Sequence, residues 1–93
     1  MTAKSNIVVL GAGKSGVGAG VLAKQKGANV LVSDYSVISK DNQKTLNNFN
    51  INWEQNGHNK EAVLNADLVV VSPGIPDSSQ IIKDLDQRGV PVI

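Results

Sequence analysis

Residues 6–20 read NIVVLGAGKSGVGAG, and how this stretch is read decides the fold. Asn6–Leu10 is a short apolar run without polar alternation, the pattern of a strand buried on both faces. Glycines follow at 11, 13 and 16, and then Val17, Val21 and Leu22 fall at helical spacing up to Gln25, with Gly27 placed to close the helix. Two phosphate loops compete for this strand–turn–helix. Gly13-Lys14-Ser15 has the tail of the triphosphate loop GxxxxGK[ST], but that loop needs a glycine five residues before Gly13, and Val8 stands there inside the strand. Gly11, Gly13 and Gly16 instead spell GxGxxG in its proper setting, after a strand and opening a helix. Gly11 permits the tight turn, Gly13 lets the backbone approach a phosphate, and Gly16 lets the helix sit close to the sheet. The amides of Lys14, Ser15 and Gly16 then point at a ligand, backed by roughly half a positive charge at the helix start.

The same periods continue along the chain. Asn29–Asp34 is a second buried strand; Ser39–Phe49 is a polar surface helix opened by Ser39 or Asp41; Ile51–Glu54 is a short outer strand. Asn59–Leu64 makes about two helical turns, Ala66–Ser72 is another strong strand, and Asp77–Gly89 is a helix capped by Asp77 or Ser78 with Ile81, Ile82 and Leu85 on one face. VPVI (Val90–Ile93) starts a last strand. Strands alternating with helices predict an α/β fold: a Rossmann-like, doubly wound, mainly parallel five-stranded sheet with helices on both faces and strand order 3-2-1-4-5. Ligands of such sheets bind outside the carboxyl ends of the first and fourth strands. Gly18 and Gly20 each cost about 1 kcal/mol against alanine in a helix, and close packing on the sheet is the expected compensation for both.

Composition narrows the function. Ninety-three residues make one domain able to bury about 60–65% of its unfolded surface. A net charge of +1 without a basic, aromatic-interleaved patch argues against nucleic acid. No apolar run approaches the roughly 18 residues of a membrane span, and Met1–Ser5 has no signal-peptide core. The absence of cysteine removes disulfides and thiolate metal sites. The expectation is a cytoplasmic protein, and the mid-strand stop at Ile93 suggests a piece of a longer chain.

Two further features join the glycine loop. Asp34 ends the second strand, at the roughly 20-residue offset where dinucleotide enzymes place a ribose-binding acid; an acid there can equally accept the N–H of a uracil, or simply serve a turn. SPGIP (Ser72–Pro76) closes the fourth strand at the same sheet edge, where Pro73 and Pro76 stiffen the loop and Gly74 allows geometry or approach that a side chain would block. Lys14 is either a phosphate neutraliser or a solvated lysine. His58, the sole histidine, has no Ser, Cys or Asp partner suggested by spacing and reads as a loop residue; Trp53 and Phe49 read as packing residues. No pair of carboxylates suggests acid–base chemistry, so the chain offers a binding site without catalytic machinery.

Together, IVVLGAGKSGVGAGVLAKQKGANVLVSD and ADLVVVSPGIP resemble the N-terminal domain of the Mur ligases, over essentially the whole chain. The resemblance is strongest to the members that add D-glutamate to UDP-N-acetylmuramoyl-L-alanine, an amide ligation of cytoplasmic peptidoglycan precursor synthesis. It implies that residues 1–93 bind the UDP part of that substrate: backbone amides of Lys14, Ser15 and Gly16 meet the diphosphate, Asp34 and the backbone of Tyr35 recognise uracil, and Ser72, Pro73 and Gly74 line the other side of the uridine. Ser36 follows Tyr35 where some relatives carry a basic residue, which removes one side-chain contact. It further implies that ATP, Mg²⁺ and D-glutamate are handled by central and C-terminal domains, through an acyl phosphate attacked by the amine. Two rival readings remain open from the residues: an NAD(P)-binding module of a dehydrogenase or nucleotide-sensing protein, which shares the loop and Asp34 but leaves SPGIP unexplained, and an interaction domain whose crevice binds nothing.

Overall fold

Val8, Val9 and Leu10 are almost wholly withdrawn from solvent, and alternate residues of this one strand feed two separate cores. The computed structural model describes residues 4–76 and 79–93. Its elements run β1 (Asn6–Leu10), α1 (Lys14–Gln25), β2 (Asn29–Ser33), α2 (Lys40–Asn48), β3 (Asn52–Glu54), α3 (Lys60–Leu64), β4 (Leu68–Val71) and α4 (Gln80–Arg88). The sheet is parallel throughout, in the order β3-β2-β1-β4. Val9 joins Val17, Val30, Val32, Ile38 and Leu46 beneath α1 and α2. Val8 and Leu10 join Val63, Val69 and Leu85 beneath α3 and α4. A strand covered on both faces has no use for a polar alternate position, which is why its sequence is a continuous apolar run.

The sheet has four strands rather than the expected five. Val90–Ile93 lies beyond β4, where a fifth strand belongs, but forms only an isolated parallel bridge between Val69 and Val92. Pro91 has no N–H to donate, and the contacts reduce to Val69 N–H on the Pro91 carbonyl, Ile93 N–H on the Val69 carbonyl and Val71 N–H on the Ile93 carbonyl, each 2.9 Å.

Helix ends follow local chemistry. Ser39 caps α2 by accepting the Asn42 N–H at 3.2 Å, and Asn59 caps α3 by accepting the Ala62 N–H at 3.2 Å. Gly27 (φ +94°) and Gly89 (φ +75°) end α1 and α4 in the left-handed conformation. Helix α4 starts later than the sequence suggests, with Ser79 at its cap; Asp77 and Ser78, the expected caps, lie outside the described residues. Leu22 is 55% exposed, so the buried stripe of α1 is narrower than its sequence spacing implies.

The two mid-helix glycines differ. A Cβ on Gly20 would stand 2.9 Å from Val32 Cγ2, so close packing on β2 accounts for it. Gly18 faces open space, with nothing within 4 Å of a Cβ, and the packing expected there is absent. Gly18→Ala should therefore stabilise the chain by about 0.4–1 kcal/mol, whereas Gly20→Ala should destabilise it by about 1–3 kcal/mol through overpacking; urea unfolding midpoints of the two variants move in opposite directions if this is correct.

Candidate functional site: the crevice at the carboxyl edge

At the end of β1 the chain turns through Gly11, whose φ of +96° favours glycine. Both neighbouring strands hold this turn: Gly11 N–H donates to the Ser33 carbonyl at 2.8 Å, and Ser72 N–H donates to the Leu10 carbonyl at 2.9 Å. The Ser72 hydroxyl then donates to the Gly11 carbonyl at 3.0 Å. Helix α1 lands on the same carbonyl. A Cβ on Gly16 would overlap the Gly11 oxygen, and one on Gly11 would stand 2.8 Å from Ser72 Cβ. Gly11 and Gly16 are thus explained by packing within the chain. Gly13 is not: its φ is −76°, nothing lies within 4 Å of a Cβ there, and it faces the crevice.

The first helical hydrogen bond of α1 runs from Val17 N–H to the Gly13 carbonyl at 2.9 Å. The N–H groups of Gly13, Lys14, Ser15 and Gly16 have no acceptor among the described residues. No acidic side chain stands in this first turn, so the helix presents its positive end, with free donors, to the crevice. Lys14 is exposed beside it.

Asp34 holds the loop in place. Its Oδ2 accepts the Ala12 N–H and its Oδ1 accepts the Ser36 N–H, each at 2.8 Å. The carboxylate therefore serves as a turn acceptor joining the glycine loop to the β2 end, and each oxygen keeps a further lone pair. Tyr35, 78% exposed, follows it on the crevice wall. On the facing wall, a turn closed by Ile75 N–H on the Ser72 carbonyl (3.2 Å) carries Pro73 and Gly74. Gly74 has no left-handed φ and open space where a Cβ would be, so the fold itself does not demand glycine there.

Between these walls lies a cavity of about 900 Å³. Gly11, Gly13, Lys14, Ser15, Gly16, Asp34, Tyr35, Ser72, Pro73 and Gly74, the residues singled out from sequence, all border it. Sequence reasoning missed others. His58 lines the cavity and has the serine partner that spacing failed to suggest: its Nδ1 is 2.6 Å from Ser33 Oγ, which is fully buried and also 2.5 Å from Glu54 Oε2. Ser33 and Glu54 are register partners across β2 and β3, so the pairing of parallel strands creates this contact. Lys60 and Asp84 also border the cavity and pair at 3.2 Å. The hydrogen bond from Gln80, helped by Lys60, holds the Asp84 carboxyl below its ordinary value.

Residues 5–93 match the family model of the MurD-like N-terminal domain of Mur ligases. The chain belongs to this family. The MurD-like domain is 49% identical over 87 residues to a UDP-N-acetylmuramoylalanine--D-glutamate ligase of Bacteroides thetaiotaomicron, and 53% identical over 88 residues to one of Bacteroides fragilis. Each match covers 94% of this chain, which spans only 20% of the length of those relatives. Among solved structures, a murein peptide ligase from Psychrobacter arcticus superposes with a TM-score of 0.84 at 22% identity, over 96% of this chain and 18% of that one, a likeness of fold. Membership does not favour the nicotinamide-binding alternative. No described helix is long and apolar enough to cross a membrane, and no described cluster of His, Asp and Glu is of a size to hold a metal.

The packing at the MurD-like glycine loop fixes two outcomes. Gly16→Ala should destabilise the chain by about 1–3 kcal/mol or more, because backbone must move to admit the methyl. Asp34→Asn should cost about 1–3 kcal/mol, because its amide nitrogen cannot accept one of the two backbone N–H groups. Chemical denaturation of both variants measures these losses.

Proposed function

We propose that residues 1–93 form the UDP-substrate-binding domain of an ATP-dependent UDP-N-acetylmuramoyl-L-alanine:D-glutamate ligase of cytoplasmic peptidoglycan precursor synthesis. The observation that carries this reading is the open start of α1: four N–H groups unpaired among the described residues, without a neighbouring acid in the turn, facing a nucleotide-sized cavity in a MurD-like domain. The amides of Lys14, Ser15 and Gly16 bind the diphosphate. Gly13 lets its oxygens reach the backbone, which accounts for a glycine that internal packing leaves unexplained. Asp34 and the backbone of Tyr35 recognise uracil through the lone pairs and amides the turn leaves free. Ser72, Pro73 and Gly74 form the opposite wall; the Ser72 hydroxyl is committed to Gly11, so its wall contact comes from backbone and carbon atoms.

ATP and Mg²⁺ have no fitting seat on this glycine loop, since Val8 occupies the position of the first glycine of a triphosphate loop. They supply phosphoryl transfer and charge neutralisation elsewhere in the ligase, together with the D-glutamate site. The contribution of this chain is positional. Holding the remote nucleotide fixes the muramoyl-alanine end relative to the rest of the enzyme, converting binding energy into orientation.

Titration calorimetry with UDP and with NADH tests the reading. UDP should bind and NADH should bind more weakly; a preference for NADH would sink it. Gly13→Ala should leave stability within about 1 kcal/mol, since the site is open, yet weaken UDP binding about tenfold or more, since a methyl stands between the amides and the diphosphate.

A further inference from the structure

We propose that His58 is a ligand-contacting residue of the crevice, held by Ser33 and Glu54 in its Nδ1–H tautomer so that Nε2 offers a lone pair to a hydrogen-bond donor of the bound nucleoside. This rests on the UDP reading above. The argument starts from proton counting. Ser33 Oγ carries one hydrogen and lies within hydrogen-bond distance of two groups, Glu54 Oε2 at 2.5 Å and His58 Nδ1 at 2.6 Å. Glu54 Oε2 also accepts the Asn59 N–H at 2.6 Å, which commits that oxygen to accepting. A carboxylate has no hydrogen to give, so the Ser33 hydroxyl must donate to Glu54. Ser33 then has only lone pairs for His58, and the hydrogen between them belongs to Nδ1. In the neutral imidazole the other nitrogen, Nε2, is left as an acceptor.

The surroundings make this orientation rigid. Ser33 is fully buried, and it faces Glu54 through strand register rather than through a flexible loop. The turn that delivers His58 is tied back to the β2 end: Asn56 N–H donates to the Ser36 carbonyl at 3.0 Å and Gly57 N–H to the Asp34 carbonyl at 3.2 Å. The imidazole lines the cavity 6.3 Å from the Tyr35 ring, centroid to centroid. Nε2 has no hydrogen-bond partner among the described residues and is not one of their buried unpaired polar atoms, so it is not sealed from solvent. The neighbouring acceptor, Asp34, already takes two backbone N–H groups, which leaves His58 as a side-chain acceptor on this wall whose outer nitrogen carries no internal bond. A nucleoside presents two kinds of donor to it: a ribose hydroxyl, or the uracil N3–H taken in place of Asp34. Ser33 and Glu54 are positioning residues in this scheme.

Because His58 is the sole histidine, its ring nitrogens give unambiguous signals in long-range ¹H–¹⁵N spectra. With the imidazole neutral, the expected pattern for the 93-residue chain is a pyrrole-type Nδ1 and a pyridine-type Nε2; the reverse pattern overturns the proposal. Adding UDP should shift Nε2 together with the amides of Lys14, Ser15 and Gly16. Moving amides with an unmoved Nε2 overturn the His58 contact while leaving the UDP reading intact, and unmoved amides remove the UDP reading and this contact with it. His58→Ala should weaken UDP binding about tenfold, and unchanged affinity counts against the contact. Ser33→Ala should mix the two tautomers and weaken UDP several-fold; a retained single Nδ1–H tautomer overturns the positioning role. Repeating the His58→Ala comparison with 2′,3′-dideoxy-UDP and with N3-methyl-UDP separates the two donors, because the penalty disappears with the analogue lacking the true one. A full penalty with both analogues overturns the hydrogen bond.

Discussion

The carbonyl oxygen of Gly11 is the point on which the carboxyl edge of this sheet is assembled. It accepts the Ser72 hydroxyl from the end of β4 and carries the close approach of Gly16 from α1. The N–H of the same residue reaches β2 through Ser33. One residue thus joins the central strand, both its neighbours and the first helix. The helix can sit this low only because Gly16 has no side chain, and sitting low is what brings its first-turn N–H groups to the crevice instead of to bulk solvent. Fold stability and the geometry of the crevice therefore meet at one residue.

The same economy extends to the polar groups of the site. Asp34 and Ser72 both stand on the crevice wall, yet their first hydrogen bonds are internal, to Ala12, Ser36 and Gly11. Groups already fixed in this way need little ordering when a ligand arrives, so less of the binding energy is lost to immobilising them. Among the described residues the first-turn N–H groups of α1 remain free, and backbone donors have no rotamer to lose. A site of this design suits an anion met by prearranged geometry, which is what the proposed substrate-binding role asks of it.

Most of the architecture was legible from local pattern. NIVVL, NVLVS and LVVV carry the continuous apolar character of strands covered on both faces, and the glycine turn stands between the first of them and a helix. The fifth strand was over-read: VPVI has the composition of a strand, but it meets β4 in one isolated bridge, and Pro91 has no N–H to add to the ladder. Gly18 was over-read in the same way: it shares a helix with Gly20 but lies about 200° round it, and only Gly20 faces Val32. In both cases composition was right about tendency, and the number of partners actually present decided the outcome.

The residues of the crevice were named from sequence because each follows the carboxyl end of a strand, in the loop or at the start of the next helix, and in a parallel sheet all strand ends of one kind meet on one edge. By itself, then, the sequence determined the strand–helix alternation, the edge where the crevice opens and the glycine loop that borders it. Only the tertiary structure decided what each polar group does there. Ser33 lies 21 residues from Glu54 and 25 from His58, and the three match no motif; they meet because β2 and β3 pair in a register that puts Ser33 opposite Glu54, and because the Asn56-Gly57 turn returns the chain to the end of β2. Register is a property of two strands together, so neither strand's sequence contains it.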